Sequence, residues 1–123
     1  MGYRSDVAYV IKFETIAQRD AFITLMLAKN DKELREAIDE VSHDDSTDPI
    51  ITFSCQDVKW YNSYPDVMGH HVLMEEAVSL YGAGYRFVRV GEDANDIEVR
   101  DRDDVGYDLW DYVDPVTHIR TNF

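Results

Sequence analysis

Residues 6–13, with the sequence DVAYVIKF, decide the fold expected for this chain. Large apolar side chains recur there at every second position, as in a β-strand with one buried face: Val7, Tyr9, Ile11 and Phe13. The stretch therefore predicts a strand near the start of the chain. The segments that follow it determine what packs on that strand.

A helix is predicted directly after this strand. Thr15 and Gln18 have the spacing of a capping box, in which two side chains satisfy backbone N–H groups at a helix start. The helix extends to about residue 29 and carries two apolar stripes on nearly opposite sides, one of Ala21, Phe22, Leu25 and Ala28 and one of Ile16, Ile23 and Leu27. Such a helix is either enclosed in the core or presents one side to a partner.

A second, amphipathic helix is predicted over residues 32–41. Its apolar face consists of Leu34, Ala37, Ile38 and Val41, and its other face carries the acids Glu33, Glu36, Asp39 and Glu40. Glu36 and Glu40 repel each other at one-turn spacing, so this face is not arranged for stability alone. It is therefore a candidate partner-binding surface.

The rest of the chain alternates strands with one long helix. Strands are predicted at residues 50–59, 85–90 and 96–100, with a helix at 65–81 that has Pro65 in its first turn and Gly82 as its end. Short strands are expected within residues 107–113 and 116–120. The crossovers through helices allow parallel neighbours in the sheet, and the late hairpin adds an antiparallel pair.

This order of elements predicts an α+β protein. We expect one compact domain over residues 1–123, with a ferredoxin-like-type sheet, helices packed on one face and one inserted helix. An acidic, irregular C-terminal segment is expected from about residue 101. Its aromatic residues Tyr107, Trp110 and Tyr112 are candidates to cover the second face of the sheet.

The negative charge is concentrated in two segments. The chain has 25 acids and 12 bases, for a formal net charge of −13. Residues 31–48 carry a net charge of −6 and residues 92–114 carry −8, while the remainder is nearly neutral at +1. Such a field selects basic partners and disfavours direct binding to nucleic acid or anionic lipid. We expect both segments to be exposed on a common side of the molecule.

The composition indicates a soluble protein of the cytoplasm. The first residues lack the apolar stretch of a signal peptide, and no segment approaches the roughly 20 apolar residues of a membrane span. The single cysteine, Cys55, excludes an internal disulfide and lies in a strand-like apolar stretch. A reducing compartment and no membrane association are therefore expected.

Motifs for metal binding or catalysis are incomplete. His71 and Glu75 have the spacing of two ligands on one helix face, but His70 points about 100° away from His71, and no complete zinc motif is present. A calcium loop beginning at Asp101 fails at two ligand positions. We therefore expect neither a metal nor another cofactor.

The aromatic residues Trp60, Tyr61 and Tyr64 form the densest aromatic patch of the chain. Such rings are frequent anchors of protein interfaces. The alternative is that they wedge the turn between strand and helix into the core. Stacking on nucleic-acid bases is not expected, because such sites also need a basic groove.

Three stretches carry a resemblance to a known family. Residues 1–13 (MGYRSDVAYVIKF), 57–67 (DVKWYNSYPDV) and 84–92 (GYRFVRVGE) resemble a family of small, functionally uncharacterised proteins encoded by tailed bacteriophages. The resemblance covers most of the chain up to about residue 113 and carries no known functional residues. It implies expression inside an infected bacterial host, without export.

The leading functional hypothesis is a non-enzymatic phage protein that binds and modulates or inhibits a basic host or phage protein. A nucleic-acid-binding protein is one class of partner that fits, since a carboxylate surface can imitate the charged backbone of DNA. The expected contact residues are Glu33, Glu36, Asp39, Glu40, Trp60, Tyr61, Tyr64, Asp101, Asp103 and Asp104. The alternatives are a small metal-dependent or nucleotide-processing enzyme and an oligomeric structural phage protein.

Overall fold

The alternating stretch forms the strand around which the rest of the chain is arranged. A computed structural model describes residues 2–93, 95–115 and 119–121. The elements in chain order are β1 (Ser5–Lys12), α1 (Ile16–Ala28), α2 (Lys32–Glu40), β2 (Ile50–Val58), α3 (Pro65–Tyr81), β3 (Gly84–Gly91), β4 (Ile97–Arg102), a 3₁₀ turn (Leu109–Asp111), β5 (Val113–Pro115) and β6 (Ile119–Thr121).

The main sheet has four antiparallel strands in the order β2-β1-β3-β4. Tyr9 in β1 lies opposite Phe53 of β2 on one side and Phe87 of β3 on the other. β5 and β6 form a separate two-stranded antiparallel sheet. The α+β class and the single compact domain expected from the sequence are confirmed.

The connections explain why the described strands have no parallel neighbours. β2 and β3 both run antiparallel to β1, so they are parallel to each other, but β1 lies between them. Helix α3 makes this β2-to-β3 crossover. Two helices, α1 and the inserted α2, join β1 to β2, which are antiparallel neighbours. The crossovers allowed parallel neighbours, but β1 separates the two parallel strands β2 and β3.

The two faces of the sheet are covered by different parts of the chain. All three helices pack on the face that carries Val7, Tyr9 and Ile11. The opposite face, with Ala8 and Val10, packs against the C-terminal segment through the buried residues Leu109 and Val113 and the partly buried Tyr107 and Tyr112. Trp110 is 54% exposed, so the expectation that it covers this face is wrong. Leu109, which precedes Trp110 in the 3₁₀ turn, is buried instead.

The helix ends follow local rules of capping. The Thr15 hydroxyl accepts a hydrogen bond from the Gln18 N–H at 3.1 Å, and Asp31 caps α2 by accepting from the Leu34 N–H at 3.1 Å. Gly82 ends α3 in the left-handed conformation, with a φ of 64° that favours glycine. These local interactions are the ones that sequence spacing can anticipate.

The buried side of α1 differs from both expected stripes. Phe22, Ile23 and Met26 are buried together with Arg19, whereas Leu25 and Leu27 are exposed. Arg19 is only 3% exposed, and its Nη1 donates hydrogen bonds to the backbone carbonyls of the loop before β2. The guanidinium of Arg19 therefore occupies part of the buried face of α1. The apolar pattern of the sequence predicted a different buried face.

The C-terminal part begins later than expected. β4 continues to Arg102, so the irregular segment starts at residue 103. Residues 116–118 of the expected last strand lie outside the described residues, and Ile119–Thr121 pair with Val113–Pro115. Of the helices in the described ranges, none has the length and apolar character needed to cross a membrane.

Candidate functional site

A shallow apolar groove lies between α2 and α3. Its volume is about 320 Å³, and it is lined by Asp31, Glu33, Leu34, Pro65, Met68, Gly69 and Val72. Met68 and Val72 are one helical turn apart on α3 and are 51% and 44% exposed. The buried side chain of Leu34 contributes from α2. Adjacent exposed apolar side chains in a groove make it a candidate docking surface, whereas single exposed residues are ordinary.

Gly69 allows the two helices to approach closely enough to form this groove. A Cβ atom at Gly69 would overlap the backbone carbonyl oxygen of Glu33 and lie 2.8 Å from its carbonyl carbon. Both atoms belong to the backbone of α2, so a side chain at residue 69 could be accommodated only if the helices moved apart. The groove therefore depends on a residue that contributes no side chain to it.

Replacing Gly69 with alanine is expected to lower the free energy of unfolding by about 2 kcal/mol, the usual cost of overpacking a tight contact. Alanine favours helix more than glycine by about 1 kcal/mol, so the observed loss is a net value. Urea unfolding followed by circular dichroism measures it. Met68→Ala, at the neighbouring exposed position, is the matched control and should change stability little. A Gly69→Ala protein as stable as the wild type would show that the two helices can separate without cost.

Acidic side chains lie along the α2 side of the groove, where Asp31 and Glu33 line it. Glu33 is half-buried at its rim, and Glu36 and Asp39 are exposed on the same helix. Residues 31–40 and 65–76 together contain eight acids and two bases, Lys32 and Arg35, and two of these acids pair with bases outside the ranges, Glu76 with Lys29 and Glu75 with Arg102. Arg35 is directed toward the end of α1, where it donates to the Leu27 carbonyl at 3.4 Å. The groove thus combines an apolar floor with a negative rim.

Glu40 is the member of the acidic face that also contacts the core. The Tyr9 hydroxyl lies 2.6 Å from Nδ1 of His70, and Nε2 of His70 lies 3.3 Å from Oε1 of Glu40. Burial lowers the pKa of His70 to about 4 and raises the pKa of Tyr9 well above its usual value. We therefore assign a neutral imidazole that accepts from Tyr9 at Nδ1 and donates from Nε2 to Glu40.

This buried chain of hydrogen bonds stabilises the fold and offers no reactive group to a substrate. His70 is 1% exposed and Tyr9 is fully buried, so a substrate cannot reach either. Burial also raises the pKa of Glu40, with a further contribution from the charge of Asp66. The contact between Glu40 and His70 is a hydrogen bond donated by a neutral ring rather than an ion pair, since the imidazole remains unprotonated near neutral pH.

His71 has different partners from His70, as the angle between adjacent helical residues requires. Its Nδ1 contacts Nη2 of Arg100 at 2.5 Å, and the Arg100 guanidinium also lies over the Phe87 ring, 4.7 Å from its centroid. Burial and the positive charge of Arg100 lower the pKa of His71 to about 4. Within residues 2–93, 95–115 and 119–121, no group of three or more His, Cys, Asp or Glu side chains is arranged to hold a metal.

Cys55 has the environment of an unreactive thiol. Burial, followed by the negative charges of Glu40 and Asp6, raises its pKa to about 12. A thiol with this pKa is protonated at neutral pH and is a poor nucleophile.

The aromatic patch divides between core and surface. Trp60 packs against Phe53, Phe87 and His70, with ring centroids 5.4 to 6.0 Å apart. The Tyr61 hydroxyl accepts a hydrogen bond from the Tyr3 N–H at 2.7 Å. The interpretation that the rings wedge the turn into the core therefore describes Trp60, whereas Tyr61 is half-buried and holds the N-terminal segment. Tyr64 packs edge-on against Tyr61 and is 39% exposed, so it remains accessible to a partner.

Arginines of β3 neutralise part of the second acidic segment. Arg86 lies 2.8 Å from Asp101, and Arg89 lies 2.8 Å from Asp96 and 3.1 Å from Glu98. The hydrogen bond from Arg89 lowers the pKa of Asp96 to about 2. Several carboxylates that the sequence assigns to a free acidic surface are therefore paired within the chain.

The remaining predicted acids of this segment have separate surroundings. The Asp103 carboxylate accepts hydrogen bonds from the backbone N–H groups of Gly106, Tyr107 and Asp108, at 2.8 to 3.0 Å, and so organises the loop after β4. Asp104 is exposed. None of Asp101, Asp103 and Asp104 lines the α2–α3 groove.

The two acidic segments meet the sheet at opposite edges, so the expectation of a common side is wrong. Ser42, just after α2, pairs with Thr52 on the outer edge of β2. The other segment contains β4, which is the strand at the far edge. Four strands span about 15 Å between these edges. The segments approach each other where the Tyr112 hydroxyl lies 3.5 Å from the Asp48 carboxylate.

No protein-family model matches this chain, and comparisons with curated proteins and with solved structures found no similar sequence or fold. Its function is therefore argued from its own geometry.

Sequence reasoning identified one wall of the groove and missed the other. Glu33 was among the predicted contact residues, but Met68 and Val72 were not. The signal that points to them is their one-turn spacing on α3, offset from the buried residues Val67, His70 and Met74. This spacing indicates a second apolar face of α3 only when the position of α2 beside α3 is known.

Proposed function

We propose that this chain is a non-enzymatic binding protein that takes up a basic, amphipathic segment of another protein in the α2–α3 groove. The observation that carries this proposal is the combination of an apolar floor with an acidic rim. An amphipathic helix binds such a groove by laying its apolar side chains on the floor. Lysines or arginines on its flanks then meet the carboxylates of α2.

The chemistry of the floor suits a partner of this kind. Methionine is flexible and polarisable, and it adapts to differently shaped apolar side chains. Met68 is the most exposed apolar residue of the groove. Burial of about 25 cal/mol per Å² of apolar surface supplies affinity, while the acids around it supply attraction at long range and selectivity for basic partners.

The geometry argues against a DNA-like surface that extends over both acidic segments. The acidic segments approach the sheet from opposite edges, and Asp96, Glu98 and Asp101 are paired with arginines. A continuous row of carboxylates over both segments is therefore not part of the proposal. The acids of α2 alone act as the electrostatic guide toward a basic partner.

The proposed setting follows from the resemblance to phage-encoded proteins. The partner is a basic host or phage protein in the cytoplasm of an infected bacterium, and a nucleic-acid-binding protein is one class that fits. Binding there would modulate or inhibit that protein by covering its basic segment. The inaccessible His70 and the protonated Cys55 offer no observation in favour of an enzyme.

Binding of a designed peptide tests the proposal. The probe is a labelled helical peptide with leucines at i, i+3, i+4 and i+7 and lysines elsewhere, and its control has the same composition in an order without an apolar face. We expect fluorescence anisotropy to show binding of the amphipathic peptide only. Met68→Ser with Val72→Ser should raise Kd at least about tenfold, a loss of 1.4 kcal/mol or more. Leu80→Ser, at an equally exposed position outside the groove, should leave Kd unchanged.

Charge variants separate the effect of the acids on the association rate from the effect of the apolar floor on affinity. Glu33→Gln with Glu36→Gln should slow association and weaken its dependence on salt, because exposed charges act mainly on the association rate. Asp104→Asn, an exposed acid away from the groove, is the matched control. Equal binding of the two peptides, or equal effects of the groove and control variants, would contradict the proposal.

A further inference from the structure

The outer edge of β4 is a sheet edge without a neighbouring strand in the described part of the chain. β4 pairs with β3 in an uninterrupted register from Ile97 to Arg102, and it contains neither a proline nor a bulge. The opposite edge is different, because Ser42 pairs with Thr52 there and Asp57 in β2 has a φ of 56°. Open edges pair with other strands unless they are protected, and the protection that β4 has is its charged side chains, which a partner strand would have to match.

The backbone pattern shows which groups of β4 point outward. The Gly91 N–H donates to the Asp96 carbonyl at 2.8 Å, so these opposite residues form a hydrogen-bonded pair. Because such pairs alternate along antiparallel strands, Glu98, Arg100 and Arg102 also direct their backbone groups toward β3. The backbone N–H and carbonyl groups of Ile97, Val99 and Asp101 therefore face away from the sheet.

We infer that this edge pairs with the same edge of a second copy of the chain, antiparallel and with Val99 opposite Val99 of the copy. Charge selects this register among those that match outward-facing groups. A shift that centres the pair on Glu98 places two Glu98 side chains opposite each other, and one centred on Arg100 does the same with two arginines. Centring on Val99 places each Glu98 opposite an Arg100, twice in the dimer.

The surroundings of β4 favour a second copy as the partner. Ile97 and Val99 are 44% and 41% exposed on the face opposite the helices, and the pairing would cover them. β4 contains two acids and two bases, and β3 adds Arg86 and Arg89, so this edge is not negative although the chain carries −13. The charges of β4 itself therefore add no repulsion between two copies.

The dimer joins the two four-stranded sheets into one continuous sheet. The register supplies about six backbone hydrogen bonds between the copies. The α2–α3 groove lies outside this contact, so dimerisation would present two grooves on one particle. The inference stands on the β4 edge alone and does not depend on what the groove binds.

Cysteine cross-linking tests the register. In a Cys55→Ser background, Val99→Cys places two thiols on residues whose Cα atoms lie about 5.5 Å apart, within the range of a disulfide. Ile97→Cys is the matched control, because the two Ile97 residues are four positions out of register, about 13 Å apart. Mild oxidation should give a dimer on a non-reducing gel for Val99→Cys and not for Ile97→Cys. Equal cross-linking of both, or none for Val99→Cys, would overturn the inference.

Sedimentation equilibrium tests the dimer without cysteines. Val99→Pro removes an outward N–H and leaves the hydrogen bonds to β3 in place, so it should raise the dimer dissociation constant at least about tenfold. Val105→Pro, at an exposed position outside the strands, is the control. Added salt should strengthen the dimer, because it screens repulsion between two chains of −13, whereas it should weaken binding of the basic peptide to the groove. A wild-type protein that stays monomeric at high concentration and high salt would refute the dimer and leave the groove proposal standing.

Discussion

Replacing Arg19 with methionine is expected to lower the free energy of unfolding by about 3 kcal/mol. Arg19 is 3% exposed, and its Nη1 lies 2.7 Å from the Asp45 carbonyl, 3.1 Å from the Asp48 carbonyl and 3.4 Å from the Ile50 carbonyl. Methionine fills a similar volume but donates no hydrogen bond. The loop before β2 would then lose the group that holds it against α1.

Urea unfolding at neutral pH measures this effect. Arg35→Met is the matched control, because Arg35 is exposed and makes one long hydrogen bond, and its loss should change stability by less than about 0.5 kcal/mol. Arg19→Lys should fall between the two, since lysine keeps the charge but cannot reach several carbonyls from one planar group. If Arg19→Met unfolds at the wild-type urea concentration, the loop is held by other contacts.

Acidification is expected to destabilise the protein through His70. Burial lowers its pKa from 6.5 to about 4 in the folded state. As the pH falls, the unfolded chain therefore binds the proton first. The contribution of His70 to the free energy of unfolding is fully present above about pH 6.5 and is lost as the pH drops toward 4. The difference in pKa corresponds to about 3 kcal/mol. His71 acts in the same direction, while Glu40, whose pKa is raised, becomes more stabilising in acid and offsets part of the loss.

Urea unfolding at several pH values between 7.5 and 4.5 tests this prediction. His70→Gln keeps a polar group beside Tyr9 but does not titrate, so it should lower stability at neutral pH and flatten the fall in acid. His43→Gln, in the loop before β2 and outside the core, is the control for the replacement of a histidine by glutamine. An equally steep fall in His70→Gln would assign the acid sensitivity to other groups.

The local elements of the fold could be predicted because their causes are local. Thr15 and Asp31 start helices through backbone groups three residues away, and Gly82 ends one through its own φ. The alternation in residues 6–13 also predicted a strand correctly, since the period of two needs only one buried face. The aromatic residues of the C-terminal segment, and not the period, indicated a cover for the second face, and Leu109 and Val113 provide it together with Tyr107 and Tyr112.

The candidate groove could not be predicted because its causes are distant in sequence. Met68 and Val72 line a groove only because α2 packs beside them, and that packing depends on the contact between Gly69 and the Glu33 backbone. The partners of His70 are 61 and 30 residues away, in Tyr9 and Glu40. Helical spacing placed His70 near the apolar stripe but contained no information about those partners.

Sequence alone determined the α+β class, the helix boundaries to within a few residues and the total charge of −13, because each depends on composition or on neighbours within one turn. Tertiary structure decided where that charge is available. It brought Arg86 and Arg89 beside carboxylates 15 and 7 residues away and set the two acidic segments at opposite edges of the sheet. The physical reason is that strand order and side-chain pairing arise from contacts between distant segments, which no local pattern specifies.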